Sequence, residues 1–110
     1  EDIKEARKDF TDLMVEYWDS NLNVLFTRKK DIRVAAAIAE LFRRRENIEI
    51  YNKKALYIMI REMADVKTQY ITKVVNQMKR IYKEKWEEYQ STGRLDYTPV
   101  SSSQQNSKYF

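Results

Sequence analysis

The chain has no cysteine and no histidine. The first absence excludes a disulfide framework and a thiolate metal site. The second removes the commonest zinc ligand and the usual general base near neutral pH. Glycine and proline are almost missing too: Gly93 and Pro99 are the sole examples, and the 92 residues before Gly93 contain neither. Hairpin turns want positive φ, which glycine supplies at least cost. A multi-stranded sheet is therefore not expected in that body. Helices are, with Asn, Asp and Ser making the turns. No apolar run approaches the roughly 18 residues that a membrane span needs, and no secretory pattern appears.

What remains is a sequence of one-domain size. Its 110 residues are 43% hydrophobic and 35% charged, so a core and a well-solvated surface are both affordable. The net charge of +4 and the pI near 9.2 hide an uneven distribution. Residues 1–19 carry seven acids against three bases, and the other 91 carry eighteen bases against ten acids. An acidic leading segment precedes a basic body.

Residues 2–19 predict a first helix. Ile3, Ala6, Phe10, Leu13, Met14, Tyr17 and Trp18 recur at helical spacing. Glu5, Asp9, Asp12, Glu16 and Asp19 form a second stripe. It reads first as a solvated face. Metal binding is a distant alternative, because oxygen ligands usually come from loops or several elements. Docking on a basic partner is another. Such a stripe repels phosphate and should face away from nucleic acid. Residues 19–23 predict a break, and Val24, Leu25 and Phe26 a short apolar plug. Asp31 is the expected N-cap of a second helix reaching about residue 45, with Ile32, Ala35, Ile38, Leu41 and Phe42 inward. Arg43, Arg44 and Arg45 close that helix. They are either ordinary dipole-matched capping or a phosphate-contacting cluster.

Residues 46–51 predict a connector whose apolar residues plug the core, and Asn52 is a good N-cap. A third helix follows over about 53–64, with Ala55, Leu56, Met59, Ile60 and Met63 inward. Residues 64–66 are a turn. A fourth helix runs from 67 to about 90 on an inner stripe of Ile71, Val74, Val75, Met78, Ile81, Tyr82, Trp86 and Tyr89. That stripe reads as core rather than as a cofactor box. Gly93 suits a position just past the helix end, with Leu95 and Tyr97 packing back. Beyond 98 the chain is rich in Ser and Gln, and a mobile tail is expected. The expected division is an acidic amphipathic helix over 1–19, a helical domain over 24–97 and a tail over 98–110.

The outer side of the fourth helix carries hydrogen-bonding and cationic groups: Lys67, Thr68, Gln69, Tyr70, Lys73, Asn76, Gln77, Arg80 and Lys83. Residues 67–85 hold six bases and one acid, Glu84. Amides can bond bidentately to adenine, lysine can reach guanine, and cations release counterions from phosphates. Arg43, Arg44, Arg45, Lys53 and Lys54 are further candidates for phosphate contact.

The stretch 60–76 resembles the helix-turn-helix of bacterial repressors, most closely the lactose-repressor family. The resemblance rests on Glu62, Ala64, Asp65, Val66, Gln69, Tyr70, Ile71, Thr72, Lys73, Val74, Val75 and Asn76, in order and without a gap. It covers 17 of the 110 residues. Arg61 stands where that family has a small residue, Asp65 where it has the turn glycine, and Lys67 where it has the serine cap. The resemblance implies that Thr68 and Gln69 enter the major groove, with Lys73 one turn on. A winged variant would want glycines that the chain lacks.

The expected fold is all-α: a trihelical helix-turn-helix core with an extra N-terminal helix and an extended C-terminal helix. The expected function is double-stranded DNA binding by a transcription regulator or a phage-type accessory protein, cytoplasmic, nucleoid-associated or virion-associated. A homodimer through the C-terminal helix, with Trp86 and Tyr89 at its seam, is the expected assembly. The competing reading is a protein–protein adaptor, polymerase- or virion-associated, that docks the same basic helix on an acidic partner. RNA binding has no recognisable sheet or Gly-containing loop behind it. No spacing points to an enzyme, so no metal, cofactor, small-molecule substrate or membrane partner is expected.

Overall fold

The computed structural model describes residues 3–45 and 53–96. Four helices follow one another: α1 (Ile3–Leu25), α2 (Lys29–Arg43), α3 (Lys53–Ala64) and α4 (Thr68–Thr92). No strand occurs among the described residues, so the fold is all-α. No helix among them is long and apolar enough to cross a membrane. The expected connector over 46–51, the Asn52 cap, Tyr97 and the tail lie outside the described residues.

The first helix is longer than the sequence suggests. The expected break at 19–23 does not occur, and α1 continues to Leu25. Asn21 is accommodated inside it: it is buried, and its Nδ2 donates to the Tyr17 carbonyl one turn back at 2.8 Å. Leu22 and Leu25 then carry the apolar stripe forward, and the Phe26 amide still reaches the Leu22 carbonyl at 3.0 Å. Burial overrides the weak helix propensity of Asp, Ser and Asn.

Helix α1 does not stand apart from the rest. Phe10, Met14, Tyr17, Trp18 and Leu25 share one core with α2 and α4. Phe10 has no exposed surface. Its ring meets Tyr82 and Trp86 edge-on at 5.1 Å each and Tyr89 at 5.2 Å. The Thr11 and Tyr82 hydroxyls lie 2.9 Å apart and tie the same two helices. Full burial of such an aromatic contributes about 1.5–3 kcal/mol before its ring contacts are counted.

Helix α2 packs against all three others. Val34, Ala35, Ala37, Ile38, Ala39 and Leu41 are its buried residues on the apolar side, while Ile32 and Phe42 are half-buried. The small alanines let neighbouring helices approach closely. Its start differs from expectation: Arg28 is the N-cap residue with no side-chain cap, and Asp31 lies in the first turn. The run Arg28-Lys29-Lys30, which looks like loop, is largely helix.

Helix α3 has the expected limits but buries only Ile60 and Ala64 fully. Met63, expected inward, is 44% exposed, and Ile58 is 46% exposed. Asp65 follows with φ of +54°, the left-handed conformation, and its amide closes α3 on the Arg61 carbonyl at 2.8 Å. Aspartate tolerates this region better than most residues. At the far end of α4, Gly93 takes φ of +75° and its amide bonds the Tyr89 carbonyl at 2.7 Å, as expected for a residue past a helix end. Leu95 then packs back into the core.

Two outcomes follow from this arrangement. Asp65→Gly should leave stability unchanged or raise it by up to ~1 kcal/mol, and Asp65→Val should lower it by about 1–2 kcal/mol. Urea denaturation measures both, and the opposite ranking would refute the left-handed turn. Burial first, then the charges of Glu88, Asp96 and Glu84, push the Tyr17 phenol up to about 12. The unfolded phenol ionises near 10. Its contribution to stability is therefore intact below that pH and is lost as pH rises through about 12. Absorbance titration of wild type against Tyr17→Phe should show one phenol ionising late.

Candidate nucleic-acid interface

The candidate surface begins at the Asp65 turn. Val66 is half-buried and anchors it, and Lys67 follows as the N-cap residue of α4 with no side-chain cap. Lysine has no acceptor to offer the helix amides. The Lys67 carbonyl instead receives the Tyr70 amide at 3.0 Å. The turn thus delivers the chain into a second helix whose first residues, Thr68 and Gln69, are exposed.

Helical periodicity then divides α4 into two sides. Ile71, Val74, Met78 and Ile81 are buried. Gln69, Thr72, Lys73, Asn76, Lys79, Arg80 and Lys83 are exposed. These exposed positions are separated by three and four residues or adjoin across one ridge. From Gln69 to Lys83 the ridge runs ~21 Å at 1.5 Å per residue. No carboxylate occurs among residues 67–83. The first exposed acid on this helix is Glu87, as Glu84 is half-buried. The result is a continuous amide- and cation-bearing surface on a rigid rod. Lys79 and Thr72 belong to it and are not among the contact candidates that the sequence suggests. Their spacing from Asn76 was the available signal.

Two of the expected residues are placed differently. Gln77 is buried, with 8% of its surface exposed, and does not belong to the outer ridge. It lies on the flank of α4 that faces the α1–α2 corner, where it lines a cleft with Phe26 and Thr27. Tyr70 is half-buried, and the Lys30 ammonium sits 4.8 Å from its ring centre. Lys73 is divided between two roles. Its Nζ donates to Asp31 Oδ2 at 3.1 Å, yet its side chain stays 49% exposed. Asp31 itself is buried, and its Oδ1 has no hydrogen-bond partner among the described residues. The first turn of α2 is thereby fastened along the side of α4.

The arginine cluster ending α2 is directed elsewhere. Arg43 pairs with Asp19 of α1 and with Glu40. Arg44 Nε lies 2.6 Å from Glu40, and Arg45 lies 2.5 Å from Asp12 of α1. Hydrogen bonds from Arg44 and then Arg43 hold the Glu40 carboxyl below the usual carboxylate range. Two residues of the acidic stripe of α1, Asp12 and Asp19, are therefore partners of this chain's own arginines. Lys53 and Lys54 are exposed in the first turn of α3, about 15 Å of helix away from the Asp65 turn. The structure brings together the α4 residues other than Gln77 and the half-buried Tyr70, and leaves these five cations off that ridge.

The C-terminal half of α4 is also occupied within the chain. Trp86 retains 9% exposure, packs on Phe10 and carries the Arg7 guanidinium 4.7 Å from its ring centre. Tyr89 lies against the same phenylalanine. Trp86 and Tyr89, expected at a seam between two copies, thus pack against α1 of the same chain.

No protein-family model, curated protein or solved structure matches the chain.

The Asp31–Lys73 pair yields a direct expectation. Lys73→Met leaves a buried carboxylate without its cation and should lower stability by about 1–2 kcal/mol. Adding Asp31→Asn should recover most of that loss in chemical denaturation. Additive losses in the double variant would show that the two groups do not interact.

Proposed function

We propose that this chain binds double-stranded DNA, with α3, the Asp65 turn and α4 acting as a helix-turn-helix. The observation that carries this reading is the carboxylate-free ridge from Gln69 to Lys83, exposed on a helix that starts at a left-handed turn. The major groove admits an α-helix, and its base edges offer donors and acceptors to amide side chains. In this reading Thr68, Gln69 and Asn76 meet base edges. Lys67, Lys79, Arg80 and Lys83 meet phosphates, and Lys73 stands between the two groups. Phosphate contacts set position and base contacts set sequence preference. Helix α2 completes a trihelical core, and α1 buttresses the distal half of α4. A transcription regulator or a phage-type accessory protein is the role that suits such a surface, in the cytoplasm or on the nucleoid.

A second reading draws on a different observation. Ile58 and Met63 expose apolar surface on α3, which suits an adaptor that docks on another protein. The two readings diverge in solution. Four neutralised phosphates imply a log–log salt slope near −3.6, a loss of about two orders of magnitude in affinity between ~50 and ~200 mM salt. Fluorescence anisotropy on labelled duplexes measures it. Gln69→Ala should weaken binding to a selected site while leaving binding to random duplex unchanged. Absence of binding at low salt, or affinity indifferent to salt, would favour the adaptor.

A further inference from the structure

Beside the ridge lies a cleft of about 420 Å³ between the α1–α2 corner and the flank of α4. Thr27 and Arg28 line it from the corner, Asp31 from the first turn of α2, and Lys73, Asn76 and Arg80 from α4. We propose that this cleft seats one backbone phosphate of the bound DNA, clasped by Arg28 and Arg80. The inference rests on the DNA-binding reading and assigns that surface a residue outside α4.

Three features of the cleft fit a phosphodiester. The first is charge: Arg28, Lys73 and Arg80 face one carboxylate, Asp31, so the walls carry a surplus of two positive charges. The second is the start of α2. Arg28 is its N-cap residue and makes no side-chain cap, and the first backbone bond of the helix runs from the Ile32 amide to the Arg28 carbonyl at 3.0 Å. The amides of Lys29, Lys30 and Asp31 precede that bond and have no intrahelical carbonyl to meet. They add the positive end of the helix dipole to the cationic corner.

The third feature is Asp31. It is more than nine-tenths buried; one oxygen holds Lys73, and the other, Oδ1, has no partner. A guanidinium has five N–H donors in a planar fork. An arginine that reaches into the cleft can turn two of these donors on two phosphate oxygens. Asp31 is thus a positioning residue that holds Lys73 at the cleft without touching DNA. Among the described residues neither Arg28 nor Arg80 has an ion pair of its own, in contrast to Arg43, Arg44 and Arg45. The guanidiniums available to an incoming phosphate are at this corner rather than at the C-terminal end of α2.

The test uses the full chain and a duplex in which single phosphates are replaced, one at a time, by neutral methylphosphonates. Wild-type protein should lose about tenfold in affinity at one or two adjacent positions flanking the groove. Arg28→Ala should lose about tenfold on unmodified duplex of any sequence, lower the salt slope, and become less sensitive to the modified position, with Arg80 still in reach of it. Arg28→Lys should recover part of the affinity, and Arg44→Ala should change neither quantity. Arg28 is exposed, so circular dichroism should report an unchanged fold in these variants. If wild-type protein binds duplex normally while Arg28→Ala matches it in affinity and slope, the phosphate seat is wrong and the DNA reading stands. If wild-type protein binds no duplex at low salt, both are overturned.

Discussion

The burial of Phe10 against the far half of α4 is the constraint on which the other features rest. A 25-residue helix bearing cations along one side has no intrinsic reason to hold a fixed orientation. Phe10 fixes its roll by inserting between Tyr82, Trp86 and Tyr89, positions that share the inner side of α4. Once that side is committed to α1, the residues half a turn away must face outward. α2 applies the same constraint to the first half of the helix through Ile71 and Val74. The polar ridge is a consequence of apolar packing on the opposite side.

The acidic and basic parts of the chain acquire distinct meanings in this arrangement. Asp12 and Asp19 are not merely a solvated stripe, because they receive Arg45 and Arg43 across the α1–α2 contact. Exposed pairs of this kind contribute little to stability, typically 0–1 kcal/mol each. Their effect on the surface field is larger. They pair one of the two three-residue basic runs in the sequence, Arg43–Arg45, and leave the exposed cations of α4 other than Lys73, and those of the Arg28–Lys30 corner, without such partners among the described residues.

Features governed by local chemistry were legible before any coordinates. The limits of α3, the left-handed Asp65, the uncapped Lys67 and the Gly93 terminator all follow from which backbone angles and donors a residue can offer. The inner stripe of α4 was legible as well, because periodicity reports burial directly. What escaped depended on neighbours distant in sequence. Helix α1 runs on through Asn21 because Leu22, Leu25 and Phe26 beyond it pack into the core. Gln77 lies under a corner that the sequence gives no reason to place there. Asp31 resembled a cap, but its carboxylate is drawn to a lysine 42 positions later. The pairing of the arginines required knowing that α1 and α2 lie side by side. Met63 and Ile58 show the converse, apolar residues at helical spacing that the fold leaves partly open.

The contact between Thr11 and Tyr82 joins residues 71 positions apart, and the neighbouring Phe10–Tyr89 contact spans still more. During translation at ~5–20 residues per second, α1 emerges roughly 4–14 s before the partners of its apolar face exist. The nascent chain must carry an unmatched amphipathic helix for that interval, shielded by α2 alone. Synthesis thus imposes an order of events in which α1 settles on α2 first, and the polar ridge of α4 acquires its final orientation only when the distal half of that helix closes over Phe10.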